Sequence, residues 1–256
     1  MRRLINLGGC QQAFKHQSSS CEHTQPSMMR VLVLSSGGKD SSLALWWAIC
    51  QGWEVCATVT VRVQRDDSWM FQVHATEIAT LQAQASGTSH NIIEVDGSQE
   101  EEVAELQLGL APLIGDMSVD GLVSGALRSE YQRRRIDMLC ERLGIRSFSP
   151  LWHQDAEAHM QGLIDCGMEM KMVSVSCEGL GQDWLGRSID AESFDQLKRL
   201  ARKFRFNLDG EGGEYETVVI AGPHMQGRIE METEVHWTGQ RGHLQIESMQ
   251  LVEPTS

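Results

Sequence analysis

The stretch Ser35-Ser36-Gly37-Gly38-Lys39-Asp40-Ser41 packs two glycines, three hydroxyls, an ammonium and a carboxylate into seven positions. It follows the apolar run 31–34 and opens the run 42–51, so the local order is strand, glycine turn, helix. Glycines let the chain turn sharply, so that successive amide N–H groups face one anion, and a helix N-terminus adds partial positive charge to the same point. The guest this chemistry suits is phosphate. A Walker loop needs Gly-x-x-x-x-Gly-Lys-Ser/Thr and a dinucleotide loop needs Gly-x-Gly-x-x-Gly; this segment has neither. Ser35, Ser36, Gly37, Gly38, Lys39, Asp40 and Ser41 are the candidate nucleotide-phosphate residues.

Such a loop needs a sheet behind it. Short apolar runs at 31–34, 55–63, 91–95, 121–123 and 146–148 alternate with amphipathic stretches, the pattern of parallel strands joined by crossover helices. One helix is marked at both ends: Ser129 and Gln132 have capping-box spacing, Ile136, Leu139, Cys140 and Leu143 share a face, and Gly144 stops it. These runs predict an α/β, Rossmann-like parallel five-stranded sheet with helices on both faces, taken here with the order 3-2-1-4-5. Ligands in open sheets sit where the strand order reverses, here between strands one and four. That places Ser124, Gly125 and Ala126, at the end of strand four, beside the loop.

Beyond 150 the pattern changes. A helix is expected over 155–166, a strand over 172–176, a helix on Phe194, Leu197, Ala201 and Phe204, and strands over 217–221, 228–234 and 244–251, the last pair joined across 238–242. This predicts a smaller α+β domain over 151–252, after a sheet domain over 29–150. Residues 1–28, rich in Gln, Ser and His, read as a disordered tail, and Met28 or Met29 is an alternative start.

Composition narrows the classes. With 22 basic and 35 acidic residues among 256, the net charge is -13, which lacks the basic footprint of a nucleic-acid binder. The longest apolar run, Leu43 to Cys50, is far short of the ~18 residues of a membrane-spanning helix. Seven cysteines without a Cys-x-x-Cys pair or a signal peptide fit reduced thiols in a cytoplasm. Trp46 and Trp47 are expected to pack rather than stack on adenine, and His153 and His159, without ligand-spaced companions, to be solvated or capping.

Residues Ser36 to Ser41 resemble the Ser-Gly-Gly-x-Asp-Ser pyrophosphate loop of the N-type ATP pyrophosphatases, which split ATP between its α- and β-phosphates. The resemblance implies that Ser36, Gly37, Gly38 and Ser41 cradle pyrophosphate, that Lys39 offsets its charge and that Asp40 helps hold Mg²⁺. Three more segments are Gly125-Ala126-Leu127-Arg128-Ser129-Glu130-Tyr131-Gln132 with Arg135, then Gly179-Leu180 with Trp184-Leu185-Gly186-Arg187, and Gly210-Glu211-Gly212-Gly213-Glu214-Tyr215-Glu216-Thr217. Together with the loop they resemble the diphthine–ammonia ligase family in its short archaeal form, over essentially all of 29–251.

That resemblance implies a HUP-type sheet, ATP as substrate with Mg²⁺, ammonium as nitrogen donor, and translation elongation factor 2 carrying diphthine as partner. The diphthine carboxylate becomes an amide through an acyl adenylate, with release of AMP and pyrophosphate. The implied catalytic residues are Lys39, Asp40, Glu211 and Glu214, and the implied substrate contacts are Ser129, Tyr131, Gln132, Arg135, Trp184, Gly186, Arg187, Glu214, Tyr215, Glu216 and Thr217. Tyr215 between Glu214 and Glu216 suits the trimethylammonium group of diphthine; the same carboxylates can instead hold ammonium. After Ser68-Trp69-Met70-Phe71 this chain has Gln72, where many archaeal members have His, with His74 two positions later. A paralogue acting on another carboxylate and a non-catalytic ATP-binding regulatory module remain open, as does the oligomeric state, a homodimer included.

Overall fold

The structure is a computed structural model and describes residues 28–63, 69–96 and 102–253. The tail expected before Met28 lies outside the described residues, as do Ser68 and the side chains of Gln72 and His74.

The first half alternates β1 (Arg30–Leu34), α1 (Lys39–Cys50), β2 (Glu54–Val63), α2 (Trp69–Ser86), β3 (Ser89–Val95), α3 (Glu102–Met117), β4 (Gly121–Val123), α4 (Glu130–Leu143) and β5 (Arg146–Phe148). The strands form one parallel sheet of order β3-β2-β1-β4-β5, the order expected from the sequence. Val31, Leu32 and Val33 are wholly buried because β1 is central and covered on both faces. Half of the expected capping box forms on α4, Ser129 Oγ accepting from the Gln132 N–H at 3.3 Å, and Gly144 closes the helix in the left-handed conformation.

The second half holds α5 (Ala156–Asp165), β6 (Glu169–Val175), a 3₁₀ turn (Gln182–Trp184), α6 (Ala191–Phe204), β7 (Tyr215–Ala221), β8 (Arg228–Thr238) and β9 (Arg241–Val252). Its antiparallel sheet runs β7-β6-β9-β8. The final hairpin is longer than expected: pairing continues from Val235↔Leu244 to Thr238↔Arg241. That extension stands largely in solvent, with Val235, His236 and Thr238 exposed, so the apolar alternation that marks a strand fades while the ladder goes on.

One hydrophobic cluster joins the second sheet to helices of the first half. It contains Leu43 and Trp46 of α1, Ile78 of α2 and Leu127, together with Met170, Met172 and Val219 of the second sheet and Phe194 and Leu197 of α6. Trp47 packs edge-on against Trp53 at 4.9 Å, the packing role expected of it. The second sheet is therefore seated against the side of the first that carries the loop. None of the described helices is long and apolar enough to cross a membrane, and the five described cysteines are free thiols.

His224 lies at this seam, its ring stacked on Trp46 at 6.2 Å, with both ring nitrogens buried and without a partner among the described residues. Burial lowers its pKa from 6.5 to about 4. The folded chain thus resists a proton that the unfolded chain takes up. Stability is unaffected above pH 6.5 and falls as pH drops from there toward 4, by roughly 3 kcal/mol in all. Urea unfolding of the wild-type chain and of His224→Phe at pH 7 and pH 4.5 checks this; the variant should lose less stability between the two, by about 2 kcal/mol.

Candidate active site

The loop is fixed from its first residue. Ser35 N–H donates to Val59 O at 2.8 Å, and Thr60 Oγ1 donates to Ser35 O at 2.6 Å, tying the loop to β2. Ser41 Oγ accepts from Ser36 N–H at 3.2 Å and donates to Gly38 O at 3.1 Å, closing the turn on itself. Gly38 is the N-cap of α1 and supplies no side-chain cap, so the first-turn N–H groups of that helix stay available to an anion. The end of β4 passes so close that a Cβ on Gly125 would lie 2.7 Å from the Asp40 carbonyl carbon and 2.8 Å from Ser41 N. Only glycine permits that approach.

These elements border a cleft of about 740 Å³. Ser35, Ser36, Asp40 and Ser41 line it from the loop, Ser124, Gly125 and Ala126 from the end of β4, and Ser129, Tyr131, Gln132 and Arg135 from α4 and its cap. Val59, Val61, Val63, Val103 and Leu106 give it an apolar wall, and Glu211 enters from the segment before β7. Arg135 stacks on the Tyr131 ring at 4.2 Å and pairs with Glu102 at 3.1 Å.

Asp40 is the most constrained of these groups. Lys39 Nζ donates to its Oδ2 at 2.9 Å, and His159 Nε2 lies 2.7 Å from its Oδ1. Burial pushes the Asp40 pKa up, but the Lys39 ammonium and the His159 contact outweigh it and hold the carboxyl below its ordinary value. The expectation that His159 is solvated or merely capping is corrected: its side chain is wholly buried and reaches Asp40 from α5, with Gln154 Oε1 3.2 Å from its other nitrogen. Sequence spacing could not reveal a partner 119 positions away. Lys39 is buried with its ammonium on Asp40, and it is not among the residues lining the cleft.

The acidic glycine segment divides. Glu211 Oε1 accepts from the Arg128 N–H at 3.2 Å, while the Arg128 guanidinium pairs with the wholly buried Asp209 and donates to Gln154 O at 2.8 Å. Glu214 is spent on the turn itself, accepting from Asn207 N–H at 2.9 Å, Asn207 Nδ2 at 2.7 Å and Gly212 N–H at 2.9 Å. The structure does not form the cation cage expected at Tyr215. Its ring is buried with the hydroxyl donating to Leu208 O at 2.6 Å, and burial, with Asp209 next, keeps that hydroxyl protonated far above the usual range.

The other substrate-contact expectations from this half also miss the cleft. Glu216 points to solvent, and Thr217 is buried on β7 behind the loop. Trp184 is buried under the Arg187 guanidinium at 4.6 Å, and Gly186 N–H is bound to Met172 O, so Trp184, Gly186 and Arg187 build the second sheet's packing. Arg128, Asp209 and Gln154 join the site without having been expected there, beside His159, which was expected to be solvated or capping. Only Arg128 lay inside a recognised motif.

Among the described residues, no group of three or more His, Cys, Asp or Glu is placed to hold a metal ion. Mg²⁺ commonly needs only one or two carboxylates, with phosphate oxygens and water completing its shell. Asp40 at the cleft fits a Mg²⁺ that arrives with a nucleotide.

The sequence matches the family description "Diphthamide synthase N-terminal domain" over residues 29–147 and "Diphthamide synthase C-terminal domain" over residues 155–252. A curated relative from Schizosaccharomyces pombe, named diphthine–ammonia ligase, is 32% identical over 239 residues, which is 86% of this chain and 39% of that protein. Relatives of the same name from Danio rerio and Homo sapiens are 31% and 28% identical; the aligned parts are 81% and 78% of this chain and 89% and 82% of theirs. This chain therefore spans well under half of the fission-yeast protein and most of the two vertebrate ones. Loop, cleft and both matched regions agree, and the chain belongs to the diphthamide synthase family.

Proposed function

We propose that the chain is an ATP-dependent ligase that amidates the carboxylate of diphthine on translation elongation factor 2 with ammonium, releasing AMP and pyrophosphate. The observation that carries this reading is a loop with an uncapped helix N-terminus opening onto the same cleft as Glu211. A carboxylate is a poor electrophile, and ammonia does not displace hydroxide from it at a useful rate. Its oxygen attacks the α-phosphorus of ATP, the bond from that phosphorus to the bridging oxygen breaks, and pyrophosphate leaves. Ammonia then attacks the acyl carbon of the adenylate and AMP departs.

The chain's own groups have distinct parts in this. The amides of Gly37 to Ser41 and the hydroxyls of Ser36 and Ser41 hold the departing pyrophosphate, a preorganised set of dipoles that needs little rearrangement as charge develops. Asp40, aimed by Lys39 and His159, would hold Mg²⁺ brought by the nucleotide, which supplies neutralising charge to the phosphates. Adenosine takes the apolar wall and the small residues Ser124 to Ala126. In this reading Glu211 holds ammonium, and Ser129, Tyr131, Gln132 and Arg135 at the α4 side receive the diphthine-bearing segment; what supports it is that all five line the cleft.

The test is to incubate the chain with ATP, ammonium and diphthine-bearing elongation factor 2, following AMP and the mass of the factor. The expected result is AMP together with the mass change of exchanging a hydroxyl for an amino group. AMP with an unaltered factor would point to another carboxylate substrate, and intact ATP would refute ligase activity.

A further inference from the structure

Behind the loop, away from the cleft, Gln82 on α2 is buried to 3% exposure. Glutamine is seldom so enclosed unless its amide is satisfied. Its Nε2 donates to Gly37 O in the loop at 2.9 Å and to Val219 O on β7 at 2.7 Å. The strand adds a bond of its own, from Val219 N–H to Gly37 O at 3.1 Å. Both hydrogens of one amide nitrogen are thus committed to main-chain carbonyls, one in the loop and one in the second sheet.

The consequence follows from the peptide unit. It is planar and trans, so the carbonyl of residue 37 and the N–H of residue 38 point in opposite directions. Two donors draw Gly37 O toward α2 and β7, which turns Gly38 N–H to the opposite side of the loop. Gly37 has φ of 78°, where glycine is permissive, and an unanchored Gly37-Gly38 peptide is free to invert. Inversion would face a phosphate with a carbonyl oxygen instead of an N–H.

We propose that Gln82 is a positioning residue. It locks the Gly37-Gly38 peptide in its anion-accepting orientation and makes that orientation depend on β7 being docked against the loop. The proposal rests on the reading of the loop as a phosphate site.

The experiment uses the full chain and two variants: Gln82→Met, of similar length but without a donor, and Gln82→Glu, of the same shape but offering oxygen where a donor is needed. Binding of inorganic pyrophosphate and of AMP is measured by calorimetry, with thermal unfolding alongside. The loss of a donor to an anion predicts pyrophosphate binding about 10- to 100-fold weaker in Gln82→Met, with AMP binding changed by less than about twofold and unfolding still cooperative. Gln82→Glu should lose at least as much, and it carries the same comparison if the methionine variant does not fold. Unchanged pyrophosphate affinity, or equal losses for pyrophosphate and AMP, would overturn the positioning role while leaving the loop's function standing. A wild-type chain that binds no pyrophosphate would remove the loop reading and Gln82's role with it.

Discussion

Asp40→Asn is expected to lower the rate of AMP formation by about 100- to 1000-fold, the usual consequence of losing one preorganised electrostatic element of an active site. The carboxylate has two committed oxygens, one to Lys39 Nζ and one beside His159 Nε2. An amide offers one oxygen and one NH₂, so it can accept at only one of those points. The Lys39 side chain, 8% exposed, is left without its counter-charge, and the position that would hold Mg²⁺ loses its negative charge. Losing the carboxylate that would hold the nucleotide's Mg²⁺ should also weaken binding of ATP in the presence of Mg²⁺, while ATP without Mg²⁺, freed of one repulsion, should bind as before or more tightly. Steady-state AMP release across ATP concentrations, paired with calorimetric ATP binding, distinguishes this outcome; a variant with unaltered turnover would show that Asp40 has no part in the reaction.

Arg128→Leu should destabilise the fold by about 3 to 5 kcal/mol, the cost of leaving a buried carboxylate without its cation. Asp209 is wholly buried, and the guanidinium that faces it also holds Gln154 O. The contact to Glu211 comes from the main-chain N–H of residue 128, which the leucine variant keeps, so the effect should be on stability before chemistry. The discriminating step is a second substitution. If the loss comes from an uncompensated charge, Arg128→Leu combined with Asp209→Asn should recover much of it, whereas a loss from packing alone would persist or grow. Urea unfolding of the four chains of that cycle provides the measurement.

Much of the sheet was legible because its signals are local. The apolar runs of β1, β2 and β4, the Ser129 cap and the Gly144 stop each depend on neighbours a few residues away. The strand order, which the alternation of strands and helices does not fix by itself, came with the fold that the loop resembles, and with it the approach of Ser124, Gly125 and Ala126 to the loop. Residues whose roles depend on the seam between the sheets were not legible. His159 and Gln82 find their partners across 119 and 137 positions, and nothing in their surroundings in the chain marks either one.

Motif membership misled in the opposite direction. Glu214 and Tyr215 stand out by type and spacing, yet one folds a turn and the other fills a core, because a dense Gly-Glu-Tyr segment must first satisfy its own backbone. Glu211, three positions earlier than Glu214, is the member that reaches the cleft. The alternation that buries Tyr215 and Thr217 on β7 sends Glu216 to solvent, so sequence adjacency did not amount to a shared site.

On the proposed reading the loop grips the two outer phosphates of ATP while the inner one is transferred. Phosphorus NMR of the spent nucleotide, after turnover with ammonium and diphthine-bearing elongation factor 2, tests it most directly. AMP and pyrophosphate are expected in equal amounts; ADP with orthophosphate would show that the loop does not hold the outer two phosphates as a leaving group.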